Sequence, residues 1–172
     1  MVILGRGTIA YQRRYAPRAE YNTARTTDID MISHYYVIAQ FACVAVLTFP
    51  FGSWPGHWIG VPFCIVGTGV GIWALSANRP GNFHIRPDPR TDGHLVTSGP
   101  YRFIRHPMYF AVLAFCAGLA AAYGQWWRWI PFVALLLVLH FKARFEERAL
   151  EARYPEYAAY ARRTRRLIPG VI

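Results

Sequence analysis

The chain has 172 residues, enough for one domain, and combines a formal net charge of +10 with 54% hydrophobic residues. Its mean hydropathy is +0.16, which is high for a soluble protein of this size, and its pI is about 10.0. Apolar bulk with strong basicity favours a membrane protein with cationic loops over a nucleic-acid-binding protein, whose composition is more polar and Lys-rich. The three cysteines lie in apolar runs without metal-ligand spacing, so we expect packing thiols and no metal site.

Residues 1–30 are polar and rich in Arg, and we expect them to form a cytoplasmic N-terminal arm that contacts anionic lipid. The first ten residues lack the long apolar core of a signal peptide, so the membrane segments should be retained. Residues 5–10 (GRGTIA) match the GxGxxA pattern of dinucleotide-binding turns. Four residues precede the match and no alternating strands follow it, so the βαβ unit that this motif requires is not indicated.

Four apolar segments follow, at about 31–51, 58–77, 107–123 and 129–141. The first has no charged residue and about the length of roughly 20 residues that a spanning helix needs. The second contains Gly67, Gly69 and Gly71, and small residues allow a neighbouring membrane helix to approach closely. The third should begin at Pro107, because proline suits the first turn of a helix. The fourth should continue as one helix to residue 153.

Positive charge alternates between the loops. The arm carries five Arg, the turn at 52–57 none, the loop at 78–106 five, the turn at 124–128 one, and the part from 142 onwards eight Arg and Lys. The positive-inside rule then places both termini and the long loop in the cytoplasm. We predict an all-α integral membrane protein of about four transmembrane helices, in a bacterial inner membrane. It divides into the arm (1–30), a first transmembrane hairpin (31–77) and a catalytic half (78–172) with a cytoplasmic loop and a C-terminal helix.

Two polar clusters, at 99–109 and 142–151, should meet at the cytoplasmic end of the second hairpin. On a helical wheel His140, Arg144 and Glu147 share one stripe, while Lys142 and Glu146 lie nearly opposite. These charges can be snorkelling cations with i,i+4 partners, and His106 can simply cap the helix. The functional interpretation is a pocket with cations for an anionic group, carboxylates for a cationic group and aromatic faces. Such a pocket suits a zwitterionic or adenosine-containing cofactor.

Three sequence blocks carry a resemblance: residues 94–101 (HLVTSGPY), residues 105–109 (RHPMY) and the pair Glu146–Glu147 with Leu150, Tyr157 and Tyr160 after it. In this order they resemble the isoprenylcysteine carboxyl methyltransferase family, and related phospholipid methyltransferases share the RHP…EE pattern. The resemblance covers about residues 78–169. It implies S-adenosylmethionine (SAM) as cofactor without a Rossmann domain. It also implies methyl transfer to a lipophilic or lipidated acceptor resembling an isoprenylcysteine carboxylate, with membrane lipid as a partner and no nucleic acid.

The same resemblance implies the roles of individual residues. For catalysis it points to Glu147 and to a basic residue that holds the acceptor, either Lys142, which the alignment favours, or Arg144, which the helical wheel favours. The residues that it implies for cofactor binding are Gly93, His94, Leu95, Val96, Tyr101, Arg105, His106, Pro107, Met108, Tyr109 and Glu146.

Three other functions remain open at this point. A phospholipid N-methyltransferase would differ only in its acceptor. A membrane reductase that uses NADPH is a more distant alternative, since sterol reductases have a similar C-terminal architecture. A non-catalytic membrane scaffold would explain the polar clusters as snorkelling charges.

Overall fold

The computed structural model of the protein describes residues 31–32, 34–51, 54–78 and 95–168. Contacts divide the chain into two units, 1–35 and 36–172, and the description below concerns the second. The described residues form five α-helices and no strand, which confirms the all-α prediction for this part of the chain. They are α1 (His34–Thr48), α2 (Val61–Ala77), α3 (Pro107–Tyr123), α4 (Trp129–Arg153) and α5 (Tyr157–Arg163). The N-terminal arm, with its GRGTIA sequence, lies outside the described residues.

The helix boundaries agree with the sequence at several points. A 3-10 turn at Trp58–Gly60 leads into α2, so the two together cover the predicted second segment. Helix α3 begins at Pro107 and ends at Gly124, whose positive φ of 67° suits a glycine after the last helical residue. Helix α4 runs without interruption through the charged stretch, as predicted.

Among the described residues, one helical stretch is long and apolar enough to cross a bilayer. This stretch is Trp58–Ala77, which has 20 residues. In its most apolar 18-residue window, 17% of the residues are buried. Helices α1 and α3 are apolar but shorter, at 10–17 residues. The low burial of Trp58–Ala77 distinguishes it from the core helix of a soluble protein, which would be mostly enclosed.

Helices α2 and α3 pack at very close range, because glycines lie at their contact. A Cβ atom on Gly67 would lie 2.6 Å from the backbone nitrogen of Phe115 and 2.7 Å from the carbonyl oxygen of Ala111. A Cβ atom on Gly118 would lie 2.6 Å from the carbonyl oxygen of Gly60. The predicted role of small residues is therefore confirmed at Gly67. Gly69 faces open space and plays no part in the contact.

The core lies where α1, α3 and α4 meet. It contains Leu47, Leu113, Cys116, Ala120, Leu135 and Leu139. Cys116 is buried and the other two cysteines are half-buried, all as free thiols, in line with the packing role expected for them. Large apolar side chains on the outer faces of the helices stay exposed, including Phe63, Ile65, Ile72, Val133 and Leu137. An apolar outer surface of this kind is typical of contact with lipid.

Arg128 holds α1 against the α3–α4 turn. It is fully buried, at 0% exposure. Its guanidinium donates hydrogen bonds to the carbonyl oxygens of Leu47 and Phe49, both at 2.9 Å, and lies 3.6 Å from the centre of the Tyr123 ring. These carbonyls are at the C-terminal end of α1, where a helix leaves acceptors unpaired and favours a cation. In the sequence Arg128 is a single charge in a turn. In the structure its hydrogen bonds link this turn to the end of α1.

The arginine-rich sequence from residue 154 to 172 predicts a basic tail, but its described part, 154–168, folds onto the helices instead. Helix α5 packs inwards through Tyr157 and Tyr160, both buried. The chain after α5 then returns to the residues before α3: the amide of Arg105 donates to the carbonyl of Arg165 at 2.7 Å, and the amide of Arg165 donates to the carbonyl of Phe103 at 3.1 Å. Leu167, which directly follows the last arginine, is buried and draws this segment into the fold.

Candidate active site

The start of α3 and the later turns of α4 bring the two polar clusters together. Arg105 Nε donates to Glu147 Oε1 at 2.7 Å, and the Tyr109 hydroxyl donates to Glu146 Oε1 at 2.5 Å. The predicted juxtaposition of the clusters is therefore confirmed. The catalytic and cofactor-binding roles of the individual residues stay predictions.

Glu147 is enclosed by cations. Arg105 occupies Oε1, and Arg166 occupies Oε2 through Nε at 2.8 Å and through its terminal nitrogen at 2.6 Å. Burial by itself would raise the pKa of the Glu147 carboxyl, but His106, Arg166 and Arg105 outweigh burial and hold it well below its ordinary value. Both oxygens already have partners, so this carboxylate is fixed and ionised.

Glu146 has a different environment from its neighbour. Its Oε1 accepts from Tyr109, while its Oε2 lies 3.6 Å from His106 Nδ1, beyond hydrogen-bond distance. The rings of His106 and Tyr109 stack with centroids 5.1 Å apart and an angle of 6° between their planes. Among the described residues, no group lies within hydrogen-bond distance of Oε2, so Glu146 offers one carboxylate oxygen beside an aromatic pair, which is suitable for a cationic ligand group.

His106 contributes a second available polar atom. Its Nε2 is buried and lies 3.4 Å from Glu147 Oε1, in a geometry that does not make a hydrogen bond. The contact is therefore electrostatic, because a hydrogen bond requires a suitable angle as well as a short distance. A buried nitrogen without a hydrogen-bond partner calls for an explanation, and a ligand or water in the site would provide one.

The structure distinguishes the two candidate basic residues. Lys142 is 3% exposed, and its Nζ donates to Gln40 Oε1 at 3.1 Å and lies 5.3 Å from the centre of the Tyr109 ring. Burial lowers the pKa of Lys142, against the charge of Glu146, which raises it. Arg144 is exposed on the other side of α4. Lys142 therefore lies beside the aromatic pair, and Arg144 does not join the described cluster.

The C-terminal segment encloses the cluster from a third side. Arg105 donates through its terminal nitrogen to the carbonyls of Ala161 and Thr164, at 2.9 and 2.6 Å. The Tyr160 hydroxyl donates to the carbonyl of Tyr101 at 2.7 Å. These bonds connect α5 and its return directly to the residues before α3.

The other predicted cofactor residues lie around the start of α3 or outside the description. Tyr101 and Met108 are half-buried, and Pro107 is buried as the first residue of α3. Leu95 and Val96 are half-buried. Gly93 and His94 lie outside the described residues.

Sequence reasoning missed two residues of the cluster, Gln40 and Arg166. Gln40 lies on α1, in a segment that reads only as a membrane helix. Arg166 belongs to a run of arginines that is typical of a solvated tail. The buried tyrosines Tyr157 and Tyr160 were the available signal that this segment folds, since aromatic residues at such spacing indicate a packed helix face.

Two apolar grooves lie elsewhere on the described surface. One has a volume of about 750 Å³ and is lined by the first half of α2 together with Leu119 and Ala122. The other, of about 350 Å³, lies between α1 and α4. Neither groove includes a residue of the charged cluster. The cluster, not the larger groove, holds the groups that can perform chemistry, so we assign the candidate site to it.

The described residues combine an all-helical fold, one exposed apolar helix long enough to cross a bilayer and a buried polar cluster where α3 begins. Residues 55–157, more than half of the chain, match the family model described as phospholipid methyltransferase. The chain therefore belongs to the phospholipid methyltransferase family, the family of isoprenylcysteine carboxyl methyltransferase-like membrane methyltransferases. This membership confirms the resemblance noted in the sequence and indicates a methyltransferase kind of activity.

Two relatives extend the comparison. The cobalt-zinc-cadmium resistance protein CzcN of Cupriavidus metallidurans is 33% identical over 137 residues, covering 77% of this chain and 61% of the relative. The nickel-cobalt-cadmium resistance protein NccN of Alcaligenes xylosoxydans xylosoxydans is 29% identical over 135 residues, covering 77% of this chain and 62% of the relative. The chain thus spans about three fifths of the length of these relatives. No solved structure matches it.

Proposed function

We propose that this protein is an integral membrane methyltransferase that uses SAM to methylate a lipophilic acceptor with an anionic head, of the isoprenylcysteine carboxylate type. Family membership supports the reaction class. The observation that carries the finer proposal is the site's charge pattern: the Glu146 carboxylate and the Lys142 ammonium both lie beside Tyr109.

The residues of the cluster fit SAM by their chemistry. The free Oε2 of Glu146 and the stacked rings of His106 and Tyr109 can receive a cationic group, the amino group or the sulfonium. The half-buried Tyr101 and the residues before it add aromatic and apolar surface. When bound, SAM would supply an electrophilic methyl group on a sulfonium, for transfer to the acceptor oxygen with a neutral thioether as the leaving group.

In this reaction the side chains of the protein position the cofactor and the acceptor. They do not take up or release protons. A carboxylate acceptor is already ionised, so no general base is needed, and catalysis depends on alignment and electrostatics. Glu147, with both oxygens occupied, serves as a positioning residue that holds Arg105 and faces His106. Lys142, and not the exposed Arg144, is the cation that holds the acceptor's anionic group.

The proposal includes a membrane arrangement. Four spans, formed around the four apolar segments, would place the cluster at the cytoplasmic surface of a bacterial inner membrane, with both termini in the cytoplasm. SAM would reach the site from the cytoplasm and the acceptor from the bilayer. The apolar outer faces of α2 and α4 and the aromatic turns at Trp54 and Trp126 support this arrangement.

Calorimetric binding of S-adenosylhomocysteine to the purified protein in detergent tests the proposal. The wild type should bind, and Glu146→Ala and His106→Ala should lose binding while remaining folded. Glu151→Ala is the matched control, because Glu151 is an exposed carboxylate on the same helix. A folded wild type that binds no S-adenosylhomocysteine would contradict the proposal, and binding of NADPH instead would favour the reductase alternative.

A phospholipid amine is the second candidate acceptor, and the description of the matching family favours it. The two acceptors are separated by methyl transfer from radiolabelled SAM in nanodiscs. Phosphatidylethanolamine and an S-farnesylcysteine derivative are offered in parallel, and the labelled product identifies the class.

A further inference from the structure

Lys142 is a buried ammonium that, among the described residues, donates a hydrogen bond to a neutral amide and makes no direct ion pair with a carboxylate. An ammonium has three N–H donors, and Nζ gives one of them to the amide oxygen of Gln40. Within the described ranges, no ion pair joins Lys142 to a carboxylate, whereas Glu147, five residues further along α4, has two guanidinium partners. The nearby Glu146 has its Oε1 directed to Tyr109.

The hydrogen-bond partner of Lys142 is therefore the neutral amide of Gln40, although a carboxylate would fit at residue 40 as well. Glutamate has almost the shape of glutamine, and a carboxylate on α1 at residue 40 would form a buried ion pair with Lys142. Burying a charge without such a pair is costly. Gln40 orients the ammonium by a hydrogen bond and leaves its charge for another anion. Arg128 keeps Gln40 in reach, because it fixes the end of the helix that carries it.

We propose that Gln40 is a specificity-determining positioning residue. It orients the ammonium of Lys142 without neutralising its charge, so that the site selects lipophilic acceptors with an anionic head over neutral or cationic ones. This inference rests on the proposed function, and it goes beyond it by assigning acceptor selection to a residue of α1. Gln40 acts through Lys142 and not by contact with the reacting atoms.

A matched pair of probes tests this selection. N-acetyl-S-farnesylcysteine carries a carboxylate, and its carboxamide has the same shape without the charge. Calorimetry in detergent should show that the wild type binds the acid at least about tenfold more tightly than the amide, since a desolvated charge pair is worth that much or more. Gln40→Glu should reduce this preference to about one, because the new carboxylate neutralises Lys142. Gln40→Ala should reduce the preference without abolishing it, because Lys142 keeps its charge but loses the hydrogen bond that orients it.

Two further readouts keep the outcomes distinct. S-adenosylhomocysteine affinity should change by less than about twofold in Gln40→Glu, because the cofactor-facing residues are untouched. Lys142→Gln should lose the preference for the acid, as Gln40→Glu does. A wild type that does not discriminate between the probes, or a Gln40→Glu protein that still prefers the acid, would overturn the inference. A wild type that binds no S-adenosylhomocysteine would instead refute the proposed function itself.

Discussion

The Tyr109 hydroxyl donates to Glu146 Oε1 at 2.5 Å, and this bond joins α3 to α4 at the level of the candidate site. The two residues are 37 positions apart in the chain. The bond fixes one carboxylate oxygen and turns the other towards the space beside the His106 ring. The orientation of Glu146 is thus set by a neighbouring helix and not by α4 alone.

Tyr109→Phe should weaken S-adenosylhomocysteine binding about tenfold, because a hydrogen bond to a charged group contributes about 1.5–3 kcal/mol. Tyr123→Phe is the matched control: its hydroxyl donates to the carbonyl of Thr48, far along the same helix. Calorimetry on both variants gives the comparison. Equal affinity in Tyr109→Phe and wild type would show that the orientation of Glu146 does not matter for the cofactor.

Acid should destabilise the protein partly through Glu147. Its pKa is lower in the folded state than in the unfolded chain, so its ionised form stabilises the fold above the unfolded value, about 4.3, and this stabilisation is lost as pH falls below it. Glu147→Gln should lower the free energy of unfolding at pH 7 by about 3 kcal/mol, because two half-buried guanidiniums lose their carboxylate partner.

The same variant should also change the pH profile. Thermal melting in detergent between pH 5 and pH 3 should show a steeper loss for the wild type than for Glu147→Gln. Glu151→Gln, on an exposed carboxylate of the same helix, should follow the wild type. Parallel profiles for wild type and Glu147→Gln would remove Glu147 from the account of acid sensitivity.

The α2–α3 contact predicts opposite effects for two glycines two residues apart. Gly67→Ala should destabilise the protein clearly, because its Cβ would lie 2.6 Å from backbone on α3, which cannot yield as a side chain can. Gly69→Ala should be neutral or stabilising by up to about 1 kcal/mol, since alanine favours the helix and the site is open. Melting temperatures in one detergent test the pair. Similar values for both variants would mean that the helices do not approach this closely.

Arg128→Ala should lower the free energy of unfolding by about 3 kcal/mol or more, because several carbonyls at the end of α1 lose a charged donor. Arg128→Lys should recover only part of this loss, since an ammonium cannot reach the same set of acceptors in a planar fork. Arg148→Ala, on an exposed arginine of α4, is the control. Thermal melts that do not separate Arg128→Ala from Arg148→Ala would contradict the role of Arg128.

Local rules were sufficient for the helices. Pro107 marked the start of α3. Between Pro131 and residue 153 the sequence has no helix breaker, so one helix was predicted from the apolar turns of α4 through its charged turns. The pairing of the two polar clusters also followed from sequence, because a short turn obliges α3 and α4 to run side by side in opposite directions.

The partners within the site could not be predicted in the same way. The helical wheel placed Arg144 beside Glu147, but a wheel shows which residues share a face and not which face meets protein. In the structure Glu147 pairs with arginines from outside its own helix, Arg105 and Arg166. Gln40 and Arg128 were hidden for another reason: their partners are an amide, a lysine and backbone carbonyls, none of which gives a recognisable motif.

The return of the chain after α5 has a consequence for protein synthesis. Arg105 and Glu147 emerge from the ribosome before Arg166, and the carbonyls of Ala161 and Thr164 that hold Arg105 are also made late. Since chains begin to fold from their N-terminal side during synthesis, the helices precede the completed cluster. A chain interrupted after residue 160 would contain α1 to α4 and still leave Glu147 without one of its two counter-ions. The candidate site is therefore completed only once residue 166 has been made, after the helices on which it is built.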